Sequence, residues 1–116
     1  MSEPIDLDRW TPPGRDTAGY AVELLRSTHL AEVQSAEDWL AGHPEAAVPA
    51  LVAALASPSA QPAAVLLGAI GGDDAIPALV EAHGRGGEGL RAAVVRGLEA
   101  NGSERAVEAL RRLGAR

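Results

Sequence analysis

The residues best suited to acid–base or metal chemistry in this 116-residue chain are His29, His43 and His83, with the acidic pairs Glu37-Asp38 and Asp73-Asp74. A transition-metal site needs three or four such ligands to converge, and on a helix that means spacings of three or four residues. No histidine has another at such a spacing, so each reads as a loop-end or helix-surface residue. Neighbouring side chains diverge on a helix, so Glu37-Asp38 reads as a solvated face rather than an acid/base couple. Asp73-Asp74 follows two glycines and precedes an apolar run, where helix capping and the helix dipole account for the acids. The glycines of Gly84–Gly89 follow no strand and match no phosphate-loop spacing, so they read as a flexible connection between helices. Ser27, Ser35, Ser57, Ser59 and Ser103 fall at helix boundaries with no nucleophile-elbow motif around them, and there is no cysteine. The expectation is a chain with no catalytic residue, no cofactor and no metal.

The elements that would carry these residues are helices. Hydrophobic residues make up 47% of the chain, Ala and Leu dominate, Phe is absent, and β-branched residues form no alternating run. Ala favours helix and lets backbones approach, so the class is all-α. Residues 1–15 carry Pro4, Pro12, Pro13 and Gly14 and read as an N-terminal arm, extended or disordered, unless Ile5, Leu7 and Trp10 dock on the body. Residues 16–116 form one helical domain of about seven helices. The first starts at Asp16 or Thr17 and runs to about Arg26, burying either Val22 and Leu25 or Tyr20 and Leu24. The second carries Leu30, Val33, Ala36 and Leu40, with a start at Ser27 or Thr28. The third spans Glu45 to Leu55. Ser59 is expected to cap the fourth, which ends at Ile70. The fifth spans Ala75 to His83 and is capped by Asp73 or Asp74. The sixth spans Leu90 to Ala100, stopped by Asn101-Gly102, and Ser103 caps the last. Each is too short to be stable alone in water, so packing must hold them.

The net charge of −6 argues against general affinity for nucleic acid. Its distribution is uneven. Residues 1–45 hold nine acidic groups against Arg9, Arg15 and Arg26, whereas residues 85–116 hold seven arginines against four glutamates. The two ends could therefore meet, within a chain or between copies. No apolar run is long enough to span a bilayer and no signal pattern opens the chain, so the expectation is a soluble cytoplasmic protein with no membrane partner.

Three segments superpose: Val48-Pro49-Ala50-Leu51, Ile76-Pro77-Ala78-Leu79 and Val107-Glu108-Ala109-Leu110. Leu67-Gly68-Ala69-Ile70-Gly71 likewise falls on Leu98-Glu99-Ala100-Asn101-Gly102. A period near 30 residues built from two antiparallel helices is the signature of an α-solenoid. On these residues, and on the Gly71-Gly72-Asp73-Asp74 turn and Leu90-Arg91-Ala92-Ala93, the chain resembles the short bacterial HEAT-like repeats, the type seen in phycobilisome-lyase proteins. The resemblance covers roughly residues 45–114. It implies about three stacked helical hairpins, a structural hydrogen bond from Arg91 and a protein-binding surface, and it carries no catalytic residues. Asn101 departs from it, standing where an apolar residue is usual.

The function expected is a non-catalytic interaction module or adaptor that binds another protein, or itself as a homo-oligomer, through a repeat face. The alternatives are an accessory subunit of an enzyme, lyase-like by resemblance, and a weak nucleic-acid binder using Arg85, Arg91, Arg96, Arg105, Arg111 and Arg112. By resemblance the second helix of each hairpin lines the binding face, which makes Gln61, Arg96 and Glu99 partner-binding candidates. Trp39 joins them because tryptophan is enriched at binding hot spots. The Ala60–Ile70 helix has almost no polar group after Gln61, and is therefore enclosed on all sides or presents an apolar patch.

Overall fold

Successive hairpins stack side by side in the computed structural model, which describes residues 6–114. Among these residues there are eight α-helices and no strand: α1 (Leu7–Trp10), α2 (Thr17–Leu24), α3 (Leu30–Gly42), α4 (Pro44–Ala54), α5 (Ala60–Ile70), α6 (Ala75–Arg85), α7 (Glu88–Asn101) and α8 (Glu104–Arg112). The pairs α2/α3, α4/α5 and α6/α7 form three hairpins, and α8 packs on α6 and α7 as the next outer helix. This is the α-solenoid expected.

The arm is not extended throughout. Between its prolines, Leu7–Trp10 winds one helical turn, its first N–H groups satisfied in part by the Asp6 carboxylate accepting from the Asp8 N–H. Leu7 is buried against the body, while Trp10 stays 57% exposed, and Ile5 lies outside the described residues. Leu7 thereby packs α1 against α2 and α3 of the first hairpin.

Asp16 caps α2, accepting from the Ala18 N–H, and the helix buries Val22 with Leu25 just beyond its end. The helix α3 runs unbroken through Ser35, with His29 rather than Ser27 or Thr28 at its N-cap; the Ser27 hydroxyl instead accepts from the His29 N–H and donates to Glu32. α3 and α4 abut at His43. The helix α4 begins at Pro44, a turn earlier in its repeat than α6, which leaves Pro49 inside the helix and Pro77 in a first turn.

Two capping expectations fail for local reasons. The hydroxyl of Ser59 caps nothing: its backbone, at φ −88° and ψ 11°, lacks the extended geometry of an N-cap, and of the two donors a cap would meet, Pro62 has no N–H. The Ser57 hydroxyl ties the chain there instead, donating to the Ala54 carbonyl at 2.7 Å and accepting from the Ser59 N–H at 3.0 Å. Neither Asp73 nor Asp74 caps α6. Gly71 keeps an ordinary φ, Gly72 takes φ +60°, and residues 72–74 wind a 3-10 turn that runs directly into α6, so backbone carbonyls satisfy the amides a cap would serve.

The Gly84–Gly89 connection is shorter than expected. The helix α6 continues to Arg85, α7 starts at Glu88, and only Gly86 and Gly87 lie between them. Arg91 holds this joint, its Nε donating to the His83 carbonyl at 3.3 Å, while Glu81 pairs with Arg85 across the last turn of α6.

The closest packing in the molecule is between α5 and α7, the second helices of adjacent repeats. They cross at Gly68 and Gly97, where the two backbones touch: a methyl built on Gly68 would lie 2.5 Å from the Gly97 Cα. Apart from the exposed Ala69, the apolar side chains of α5 are consequently buried or half-buried, Ala63, Ala64 and Leu67 completely, so this helix is largely enclosed and presents no large apolar patch.

Asn101 secures the same stack. Its Nδ2 donates to the carbonyls of Gly68 and Gly72, each at 3.1 Å, and its Oδ1 accepts from the Ser103 N–H at 3.2 Å. One side chain thus ties the end of α7 to the end of α5 and to the turn before α6. Gly102 then ends α7 in the left-handed region at φ +69°, and Ser103 caps α8 by accepting from the Ala106 N–H. Asn101→Ala should cost about 1–2 kcal/mol, because it leaves two carbonyls short of a partner at a partly buried joint. Urea unfolding followed by circular dichroism measures that loss.

Candidate functional site

The four sequence-predicted binding residues do not gather on one face. Trp39 is half-buried on α3, its indole N–H donating to Asp8 at 3.3 Å and its ring stacked on His43 with centroids 4.1 Å apart. It therefore holds the docked arm and the start of α4 at the N-terminal end. Gln61 is exposed at the start of α5, with its amide lying against Gly89. Arg96 and Glu99 are exposed on α7 and form no ion pair with each other. α3 packs on α1, α2 and α4, and has at most marginal contact with α5 or α7, so Trp39 stands apart from the other three. A continuous face of three second helices, α3, α5 and α7, is not formed.

The outer helices are less tightly stacked than α5 and α7, and concave surface appears between them. α6 and α8 flank a groove of about 500 Å³. Its floor is Ile76, Pro77, Val80 and Ala109; Asp73 and Glu81 edge it on the α6 side, and Arg105, Arg112 and the Glu108 paired with Arg112 on the α8 side. A similar hollow of about 610 Å³ lies between α2 and α4, with Gly19, Ala50 and Ala53 in its floor and Asp16, Glu23 and Arg26 on its rim.

An apolar floor between opposite charged edges is suited to hold a side-chain ridge of another polypeptide, with polar groups at both margins fixing its direction. The titratable groups on its rim are surface carboxylates and guanidiniums, and Arg112 is already paired with Glu108 at 2.9 Å. Among the described residues no cluster of three His, Cys, Asp or Glu side chains converges as a metal site would, and no helix is long and apolar enough to cross a membrane.

Sequence reading placed the partner-binding candidates on the second helices, whereas this groove lies between α6 and α8. The signal was available in the repeat itself. The segments Ile76-Pro77-Ala78-Leu79 and Val107-Glu108-Ala109-Leu110 are equivalent, so the side of α6 turned toward α8 could be read from the offset. Of the six arginines considered for nucleic-acid binding, Arg85 and Arg112 are ion-paired and Arg91 is bonded to a carbonyl. Arg96, Arg105 and Arg111 make no such contacts among the described residues.

The family model of the PBS lyase HEAT-like repeat matches residues 63–82 and 90–113, which covers most of α5 and α6 in one copy and α7 and α8 in the next. No curated protein and no solved structure matches the chain.

Proposed function

Because this chain is a HEAT-like repeat protein, we propose that it is a non-catalytic adaptor that binds a protein partner in the groove between α6 and α8. HEAT-like repeats generally mediate protein–protein interaction. The observation that carries the reading is the groove's composition, Ile76, Pro77 and Val80 between acidic and basic edges. The body from Asp16 onward acts as one unit with the arm as its N-terminal cover, and we place it in the cytoplasm, where a cysteine-free chain loses nothing.

Val80→Arg introduces a long cation into the groove floor without touching the fully buried residues of α6. It should weaken capture of a specific partner by at least about tenfold, equivalent to about 1.4 kcal/mol. The measurement is affinity capture with the wild-type chain and the variant side by side, followed by titration of the captured protein. If Val80→Arg binds as well as wild type while Arg96→Glu and Glu99→Arg lose binding, the partner sits on α7 and the groove reading is wrong.

A further inference from the structure

The concave surface beside α8 repeats the groove wall of α6 one period later. Asp73 in the turn before α6 and Ile76, Pro77 and Val80 on α6 face the groove, and 31 residues further along the chain stand Glu104, Val107, Glu108 and Arg111. Those four, with Gly102, line an open hollow of about 470 Å³. The difference is what covers each wall. α8 lies across the α6 wall and Ile76 is 8% exposed, whereas no described element crosses the α8 wall and Val107 is 42% exposed. The repeat has built a surface shaped to receive a helix and left it uncovered among the described residues.

Its charges indicate which helix. Glu104 lies three residues before Val107 and Arg111 four after it, so all three share one stripe of α8, and Glu108 beside them has its charge met by Arg112. Neither Glu104 nor Arg111 has an ion-pair partner among the described residues, where the ion pairs are Arg15–Glu23, Arg85–Glu81 and Arg112–Glu108. Read in one direction the stripe is acid, valine, base; read in reverse it is base, valine, acid. Two such stripes are complementary only when antiparallel, which is the arrangement produced by a twofold axis perpendicular to the helices. Parallel pairing in register would oppose like charges, whereas antiparallel pairing also opposes the two helix dipoles favourably.

We propose that α8 docks on α8 of a second copy of this chain, with the twofold axis near Val107. Glu104 of each copy meets Arg111 of the other, which sets the axis between positions 107 and 108, so that each Val107 packs on the aliphatic stem of the second copy's Glu108, whose carboxylate is held by its own Arg112. This rests on the reading of the chain as an interaction module and names one of its partners as itself. A contact made by a single nine-residue helix falls among small, weak interfaces, so the dimer forms reversibly and only at high concentration.

Sedimentation equilibrium of the full chain from micromolar to millimolar concentration tests this. The wild type should follow a monomer–dimer equilibrium that weakens as salt is added. Glu104→Arg and Arg111→Glu should each weaken dimerisation by about tenfold or more, since each sets two like-charged contacts at the axis. The double variant E104R/R111E should recover the dimer, because the pair is reversed and not removed. Val107→Arg, with both charges intact, should also weaken it; circular dichroism establishes that each variant is folded. A wild type that stays monomeric, single swaps without effect, a folded double variant that fails to recover, or open-ended growth beyond the dimer would each overturn the proposal. A monomeric chain that still binds a foreign protein through Val80 would overturn the dimer alone. An intact dimer with no Val80-dependent binding would overturn the groove alone.

Discussion

Leu79→Ala is expected to lower the free energy of unfolding by about 3–4 kcal/mol, in the upper part of the usual range for a buried leucine. Leu79 is fully buried on α6, and its repeat equivalent Leu51 is equally buried on α4. At that position the helix is enclosed by neighbours before and after it, so removing three carbons leaves a space that cannot easily collapse. Leu110 is the third equivalent, but it lies on α8 and is only half-buried. The same substitution there should cost about 1–2 kcal/mol, in proportion to the smaller apolar area removed from water. Urea denaturation of the two variants measures both numbers. Equal losses would mean that the end of the stack is as tightly packed as its middle, which the exposure of Val107 contradicts.

That gradient from middle to end explains how much of the molecule could be read from sequence. Packing inside one helix or one turn follows from residues close together in the chain, and there the reading mostly held, the caps at Ser59 and at Asp73-Asp74 excepted. The helices, the stop at Asn101-Gly102, the Ser103 cap, the bond from Arg91 and the three-hairpin stack were all legible. Contacts between repeats depend on residues about 30 positions apart, and there the reading was weaker. Asn101 seemed a flaw in an apolar position because its partners, the Gly68 and Gly72 carbonyls, are not side chains and leave no mark in the residue types. Asp73 and Asp74 seemed caps because nothing in their identity shows that a 3-10 turn will use backbone carbonyls instead.

The candidate site was less legible still. Choosing the second helices as the binding face assumed that α3, α5 and α7 stack evenly. α5 and α7 meet so closely that their exposed margins are narrow, while α3 stays with α2 and α4 and leaves Trp39 at the far end. Tight packing on one side and looser packing on the other puts concave surface between the outer helices. Ile76 and Pro77 of that surface stand out in the sequence for their place in the repeat, and their place in a groove depends on the spacing between helices.

Gly68 sets that spacing, and Gly68→Ala should destabilise the protein by about 2–3 kcal/mol despite improving helix propensity. In an open helix interior the substitution would stabilise by about 0.5–1 kcal/mol, since alanine loses less backbone freedom on folding. At the α5–α7 crossing the new methyl would meet the Gly97 backbone, with its Cα at 2.5 Å. Backbone atoms have no alternative rotamer, so the two helices must separate, and dispersion contacts are lost along their whole length. Gly97→Ala meets the Ala64 carbonyl from the other side and should cost a similar amount. The double variant should cost clearly less than the two together, because helices already pushed apart by one methyl accommodate the next. Gly84→Ala supplies the opposite sign. Gly84 lies inside α6 with nothing within 4 Å of an added methyl, so the same change should stabilise by about 0.5 kcal/mol. Shifts of the denaturation midpoint in opposite directions at Gly68 and Gly84 would separate close approach from propensity as the reason glycine stands at the crossing. Shifts in the same direction would mean that α5 and α7 do not touch there.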